Sequence, residues 1–192
     1  MASGKDLPVS PLMLPMPEMP PVPGVRIATG MAGIRYKARE DVTMMTFPAG
    51  TTVAGVFTRN KCPGAPIDWC RAALKGGKAR ALVVTAGNSN VFTGKAGRET
   101  CAATAKAMAG LAGCKPNEVF LASTGVIGEK LPTEKLTAAL PSVHGALGDD
   151  LWAHAARAIM TTDTFPKAAT RTAQIGGATV TVSGIAKGSG MI

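Results

Sequence analysis

The sequence predicts a mixed α/β protein, an α+β arrangement of sheet layers covered by helices, and three observations carry that reading. Short β-rich stretches separated by turn residues come first, an apolar run followed by an alanine-rich segment occupies the middle, and a glycine pair between two β-rich stretches stands near the end. The chain has 192 residues, 46% of them hydrophobic, enough for one sizeable core or two small ones packed closely together. Aromatic residues make up only 4%, so that core has to be built from Val, Ile, Leu, Met and closely approaching backbones.

Residues 8–23 (PVSPLMLPMPEMPPVP) carry prolines every two to four positions, which forbids helix interior and sheet centre and favours an extended path. Residues 1–24 therefore read as an N-terminal arm, either mobile or laid against the protein or a neighbouring subunit, ahead of an α/β body over 25–192. Within 25–58, strands are expected at 25–29, 34–36, 42–47 and 52–58, broken by Gly30, Gly33, Pro48 and Gly50, as in an antiparallel sheet. A short helix is expected near 68–73. Residues 79–86 (ARALVVTA) form a continuous apolar run bounded by turn residues, consistent with a strand buried on both faces.

Residues 96–112 are alanine-rich and proline-free and stop at Gly113, which predicts a helix with a glycine exit. A strand over 118–123 and a short helix over 132–140 follow. Asp149 and Asp150 precede 151–160, where Trp152, Ala155, Ala156 and Ile159 recur at helical spacing, predicting a second long helix. Residues 170–175 and 178–185 flank Gly176-Gly177, a strong hairpin signal.

The formal charge of +9 is scattered, from Arg26, Arg35 and Lys37 to Lys167, Arg171 and Lys187, without a dense run or interleaved aromatics, which argues against nucleic acid as a partner. An acidic partner chain would balance it and gain in association rate. Cys62, Cys70, Cys101 and Cys114 show no C-x-x-C pair and no histidine at ligand spacing, so no metal is expected. The start of the chain has no apolar signal core and no run is long enough to span a bilayer, so a cytoplasmic protein with free thiols and no membrane partner is expected.

Four loops have chemical content. The first, TAGNSN (85–90), follows the buried run and leads through Gly94-Lys95 into the alanine-rich helix; a ligand loop is plausible there, but a phosphate loop lacks its glycine spacing and its hydroxyl after the lysine. In the second, STGVIG (123–128), Gly125 lets its N–H approach a bound oxygen and the Thr124 hydroxyl offers another donor from the same turn. Two such donors make an oxyanion hole, although a Thr-Gly turn after a strand is more often only a turn. The third, MTTDT (160–164), offers three hydroxyls and a carboxylate, or only a helix exit with local hydrogen bonds. In the fourth, 185–192, Lys187 can pair a substrate carboxylate. His144 and His154 have no acids at triad or metal spacing, and no serine stands in a nucleophile elbow.

Taken together, PPVPGVR (20–26), TRNKCPGA (58–65), TAGNSN, STGVIG, MTTDT and KGSGM (187–191) resemble, in order and over nearly the whole chain, the α chain of the ornithine acetyltransferase (glutamate N-acetyltransferase) family of arginine biosynthesis. The resemblance implies a layered α/β fold like that of N-terminal-nucleophile enzymes, and a precursor that cleaves itself before a threonine following KGSGM. That threonine would begin a β chain and carry the acetyl group from N2-acetylornithine to glutamate, with acetyl-CoA an open alternative donor and no cofactor. On this resemblance the sequence ends before the threonine, so the chain would be active only with its β chain, in an α2β2 assembly. Thr124 and Gly125 would form the oxyanion hole, Thr161 or its neighbour Thr162 and Lys187 would bind substrate, and Gly188 and Gly190 would let the backbone bend during cleavage. The threonine's own α-amino group would serve as base, which fits the lack of a histidine engine. A self-processing aminopeptidase of similar architecture and a non-enzymatic module for small anions are the other readings.

Overall fold

A computed structural model describes residues 8–189, so Gly190 and its expected part in bending the backbone lie outside the described residues. Strands β1 (Arg26–Gly30), β2 (Val42–Thr46), β3 (Ala81–Asn88) and β4 (Val119–Val126) form one sheet in that order. β1 and β2 pair antiparallel with Arg26 opposite Thr46, and β2 pairs antiparallel with β3 through Val42 and Thr85. β3 and β4 run parallel, Ala81 beside Val119 and Thr85 beside Ser123. A parallel pair needs a crossover, and helix α2 (Gly94–Ala112) supplies it, ending at Gly113 in the left-handed conformation as the sequence predicts.

One sheet face, with Val42, Met44, Val83 and Leu121, is buried under Ala105 and Met108 of α2 and Leu136 and Leu140 of α3 (Thr133–Gly145). The small alanines of α2 let its axis approach the strands closely, which offsets the shortage of large aromatic side chains. On the other face Ile27 and Met45 are covered by Trp152 and Ala155 of α4 (Trp152–Ala158), with Leu82, Ala168 and Ile185 at the margin. The proline-rich segment lies against this second cluster: Met19 is buried in it and Val22 packs on it.

Both edges of the sheet are covered. Ile27 of β1 exchanges backbone hydrogen bonds with Gly148, at 2.7 and 2.9 Å. Along β4, helix α1 (Ala65–Ala73) takes the place of a fifth strand: Trp69 Nε1 donates to Val119 O at 2.9 Å, and Cys70 Sγ contacts both O and N of Leu121. An exposed edge is a template for mispairing, and these side chains remove it.

The structure departs from the sequence expectation in four places. Residues 34–36 are not a strand, because buried Asp41 takes the N–H groups of Ala32 and Ile34 on its two carboxylate oxygens, both at 2.7 Å, and curls the segment back. Residues 52–58 pair only at Thr52, with Lys78, and Val56 is almost fully exposed, so alternation there has no face to bury. The 79–86 run is fully buried on one face, whereas on the other Leu82, at the margin of the α4 cluster, and Val84 are only half-buried and Ala86 is buried. Helix α4 is one short element, capped by Arg39, whose guanidinium donates to the carbonyls of Arg157 and Met160 at 3.3 and 2.7 Å. In addition, α3 runs on through Pro141 to Gly145, and proline there forgoes one helical hydrogen bond.

The expected hairpin is present as β5 (Lys167–Ile175) and β6 (Ala178–Ala186), with Ile175 opposite Ala178. Gly176 and Gly177 have φ of 58° and 80°, the two positive values that a two-residue turn of this hand needs. Among the described residues, no helix is long and apolar enough to cross a membrane.

Because Asp41 satisfies two backbone donors from a fully buried position, Asp41→Ala should cost about 3 kcal/mol in stability, read as a lower urea midpoint at unchanged slope.

Candidate functional site

The carboxyl ends of the parallel strands β3 and β4 lie side by side, the position at which α/β sheets open a crevice. There the register slips: Asn88 pairs with both Thr124 and Val126, with Gly87 opposite Gly125. The slip needs glycine. Gly125 has φ of 136°, and a Cβ on it would stand 2.3 Å from the carbonyl carbon of Gly87 and 2.5 Å from the nitrogen of Asn88. Gly87, with φ of 103°, is pressed in turn against Arg35 and Tyr36. Bulges of this kind re-aim side chains, and here the slip fixes the turn that carries Thr124.

The TAGNSN loop braces this turn. Asn88 Nδ2 donates to Glu129 O at 3.0 Å, and Asn88 Oδ1 accepts from the N–H of Asn90 at 2.8 Å. Buried Asn90, at φ of 50°, donates to Gly97 O and accepts from Thr93 Oγ1. Ser89 donates twice to Val126 O, from its N–H at 2.9 Å and from Oγ at 2.7 Å. These amide side chains are engaged within the loop, with the start of α2 and with the segment after β4, as in a helix-entry turn.

Thr124 itself is half-buried, and its hydroxyl makes no hydrogen bond among the described residues. Alternation along β4 turns Ser123 inward, where its Oγ accepts from Thr85 Oγ1 at 2.9 Å, and sets Thr124 on the opposite face with half-buried Phe120 and exposed Ala122. A hydroxyl so placed is free to donate across the face that α2 and α3 do not cover.

The other predicted residues meet around Asp163, whose side chain is 1% exposed. Its Oδ1 accepts from Lys167 Nζ at 2.9 Å and from the Gly188 N–H at 2.7 Å. Its Oδ2 accepts from the Thr161 N–H at 3.2 Å and lies 3.3 Å from Lys187 Nζ. Thr162 Oγ1 and Ser189 Oγ share a hydrogen bond of 2.6 Å. Lys167 is fully engaged, since its ammonium also donates to Phe165 O and sits 4.2 Å from the Phe165 ring centre. Lys187, with Asp163 as its ion partner, keeps donors for a ligand. A cavity of about 680 Å³ opens beside this cluster, lined by Thr162, Lys167, Gly188 and Ser189 and by Pro8, Ser10 and Leu12 of the proline-rich segment.

Thus Thr124 adjoins Gly125, and Thr161 joins Lys187 through Asp163, but no contact among the described residues links the two pairs. They share only the sheet face that α4 and the hairpin occupy. Sequence reasoning counted Asp163 as one polar group among several. The signal that could have singled it out was a lone acid among threonines, with Lys167 four residues on and Lys187 across a hairpin.

Burial would push the Asp163 carboxyl up, but the Lys167 hydrogen bond, the Gly188 and Thr161 N–H groups and the Lys187 charge outweigh it and bring it down to about 2. The thiols move the other way: burial pushes Cys101 up to about 12, with Cys70 adding to it, which makes it a poor nucleophile. His154 is exposed, 3.9 Å from Glu40, and His144 is half-buried at the end of α3. No cluster of three His, Cys, Asp or Glu among the described residues is placed to hold a metal.

The ArgJ family profile matches residues 26–192. The chain belongs to the ArgJ family. It is 57% identical over 188 residues to the arginine biosynthesis bifunctional protein ArgJ of Gluconobacter oxydans, covering 98% of this chain and 44% of that protein. The ArgJ protein of Mesorhizobium japonicum is 58% identical over 176 residues, 92% of this chain and 43% of that one. The chain thus spans less than half the length of these relatives. Among solved structures, ornithine acetyltransferase complexed with ornithine from Mycobacterium tuberculosis aligns with a TM-score of 0.82 at 36% identity, over 90% of this chain and 91% of that chain. An ArgJ protein from Bacillus halodurans aligns at 0.78 and 32%, over 88% and 89%. The mixed α/β class and the family read from the ordered motifs both hold for this ArgJ chain.

The folded Asp163 carboxyl lies below its ordinary 3.8, so its contribution to stability is present above about pH 4 and lost as the pH falls through about 2, on the order of 2 kcal/mol. In urea titrations the gap between the ArgJ chain and its Asp163→Asn variant should stay level from neutral pH to about 5 and narrow between about 4 and 2.

Proposed function

We propose that this chain is the α chain of a self-cleaving acetyltransferase that moves an acetyl group from N2-acetyl-L-ornithine to L-glutamate in arginine biosynthesis. The observation that carries the reading is the Thr124-Gly125 turn, a backbone position only glycine can occupy beside an unengaged hydroxyl on an uncovered sheet face. Family membership and the solved ornithine acetyltransferase support it. The lengths favour two chains: the chain matched in that structure is nearly covered by this one, whereas the curated relatives are more than twice as long.

In this reading the threonine that opens the β chain attacks the acetyl carbonyl while its own α-amino group takes the hydroxyl proton. The tetrahedral oxyanion is held by the Thr124 hydroxyl and the Gly125 N–H, and the intermediate collapses to acetyl-threonine as ornithine leaves with a proton. The amine of glutamate then attacks the acetyl-threonine ester through a second tetrahedral state in the same hole, regenerating the hydroxyl. Lys187 holds a substrate carboxylate, and Thr161 or Thr162 lies beside it. Of the two, Thr161 has the hydroxyl without a partner among the described residues, whereas Thr162 is tied to Ser189, which favours Thr161.

The proposal includes an α2β2 assembly in the cytoplasm, with residues 1–24 an arm on the 25–192 body. Acetyl-CoA enters as a second donor, in keeping with the word bifunctional in the relatives' name. No cofactor is needed.

Thr124→Ala in the full-length protein should lower turnover of acetylornithine about tenfold or more with the melting temperature unchanged. An unchanged rate removes Thr124 from the mechanism. Denaturing mass spectrometry of the same preparation should show two polypeptides, the second beginning with threonine; a single uncut chain with full activity rules out the two-chain scheme.

A further inference from the structure

Two lysines of the hairpin converge on one buried acid. Lys167 opens β5, and its register partner Ala186 ends β6 directly before Lys187, so both lysines stand at the open end of the hairpin. Left to themselves these like charges would repel. Asp163, from the loop after α4, reaches between them and also takes the Gly188 N–H, so one carboxylate sets both a side chain and the backbone beyond it. The count is two positive charges and one negative, and the remaining charge resides on the lysine with free donors. With Lys167 occupied by Asp163 and by the carbonyl and ring of Phe165, that lysine is Lys187.

We infer that Asp163 is the positioning residue of the substrate site: it holds the Lys187 ammonium where a substrate carboxylate meets it, and Lys167 is its structural counter-ion. This rests on the acetyltransferase reading above. Asp163 is not a catalytic residue here, since it touches the lysine and not the reacting atoms. Its four partners leave it no lone pair directed at a proton to be moved. A neutral amide at this position accepts fewer hydrogen bonds and leaves the two ammonium groups facing each other, so Lys187 swings away. A longer acid keeps the charge and moves it by one methylene.

The test uses the full-length protein, acetylornithine, and the same compound with its carboxylate replaced by a neutral carboxamide. Asp163→Asn should raise KM for acetylornithine about tenfold or more while kcat stays within about threefold, because a ground-state contact is lost. With the carboxamide, wild type and variant should agree within about twofold, since nothing remains for Lys187 to hold. On a Lys187→Met background, Asp163→Asn should change KM by less than about twofold, because its route to the substrate is gone. Asp163→Glu, which keeps the charge, should still raise KM for acetylornithine about threefold or more, and it carries the test where the amide variant does not fold. An equal loss with both compounds, or full additivity with Lys187→Met, overturns the inference and leaves Asp163 a purely structural acid. Wild-type protein that transfers no acetyl group overturns the reading beneath it instead, a result distinct from any seen with the variants.

Discussion

The site depends on two strand backbones meeting where neither has a side chain. At Gly125 an added carbon would stand 2.3 Å from the backbone of Gly87, and at Gly87, also at positive φ, it would press on the Arg35 and Tyr36 side chains, so the register slip depends on glycine at both positions. That contact would be unstable on flexible loops. It is held because the residues on either side are braced: Asn88 and Ser89 tie β3 to the far side of the turn, and buried Asn90 fastens the loop to the first turn of α2. These hydrogen bonds are buried or partly buried, and a satisfied network of this kind imposes one geometry where a purely apolar contact would tolerate several.

Much of this was legible in the residues, for reasons that can be stated. Helix α2 and the Gly176-Gly177 hairpin depend on local signals, a proline-free alanine run with a glycine stop and two positive φ values at a glycine pair, and both emerged as read. The false strands at 34–36 and 52–58 have the right composition but lack what makes a strand, a partner and a face to bury. Asp41 removes the partner in the first case by capturing two N–H groups, an event between residues seven and nine apart that no periodicity reveals. The shortened α4 has a similar cause, Arg39 closing its carbonyl end from more than a hundred residues away. At the candidate site, Thr124, Gly125 and Lys187 stood out as candidates because their residue types suit the proposed chemistry. Asp163 was missed because its importance comes from what surrounds it.

The charge of the chain divides in the same way. Pairs such as Lys95 with Glu99 and Arg71 with Asp68 are exposed, and solvent and salt leave each worth little. They account for solubility more than for fold. The Asp163 side chain is buried and its two lysine partners are partly so, so these charges orient one another more strongly than the exposed pairs do.

The two halves of the site are therefore made rigid by different means, one by backbone contact and one by buried charge, and neither touches the other. What relates them is the sheet. Thr124 follows Phe120 and Ala122 along β4 onto the face that bears Ile27 and Met45, and the hairpin carrying Lys187 packs at the margin of that same face through Ala168 and Ile185. Over β1 and β2 the face is filled by α4 and the proline-rich segment; over β3 and β4 it is left with Leu82, Val84 and Phe120 half-buried and Ala122 exposed. A group that reaches both the Thr124 hydroxyl and the Lys187 ammonium must cross this open stretch, since α2 and α3 occupy the opposite face and α1 closes the β4 edge. The direction from which a reacting group approaches is thus set by which strands the chain leaves uncovered.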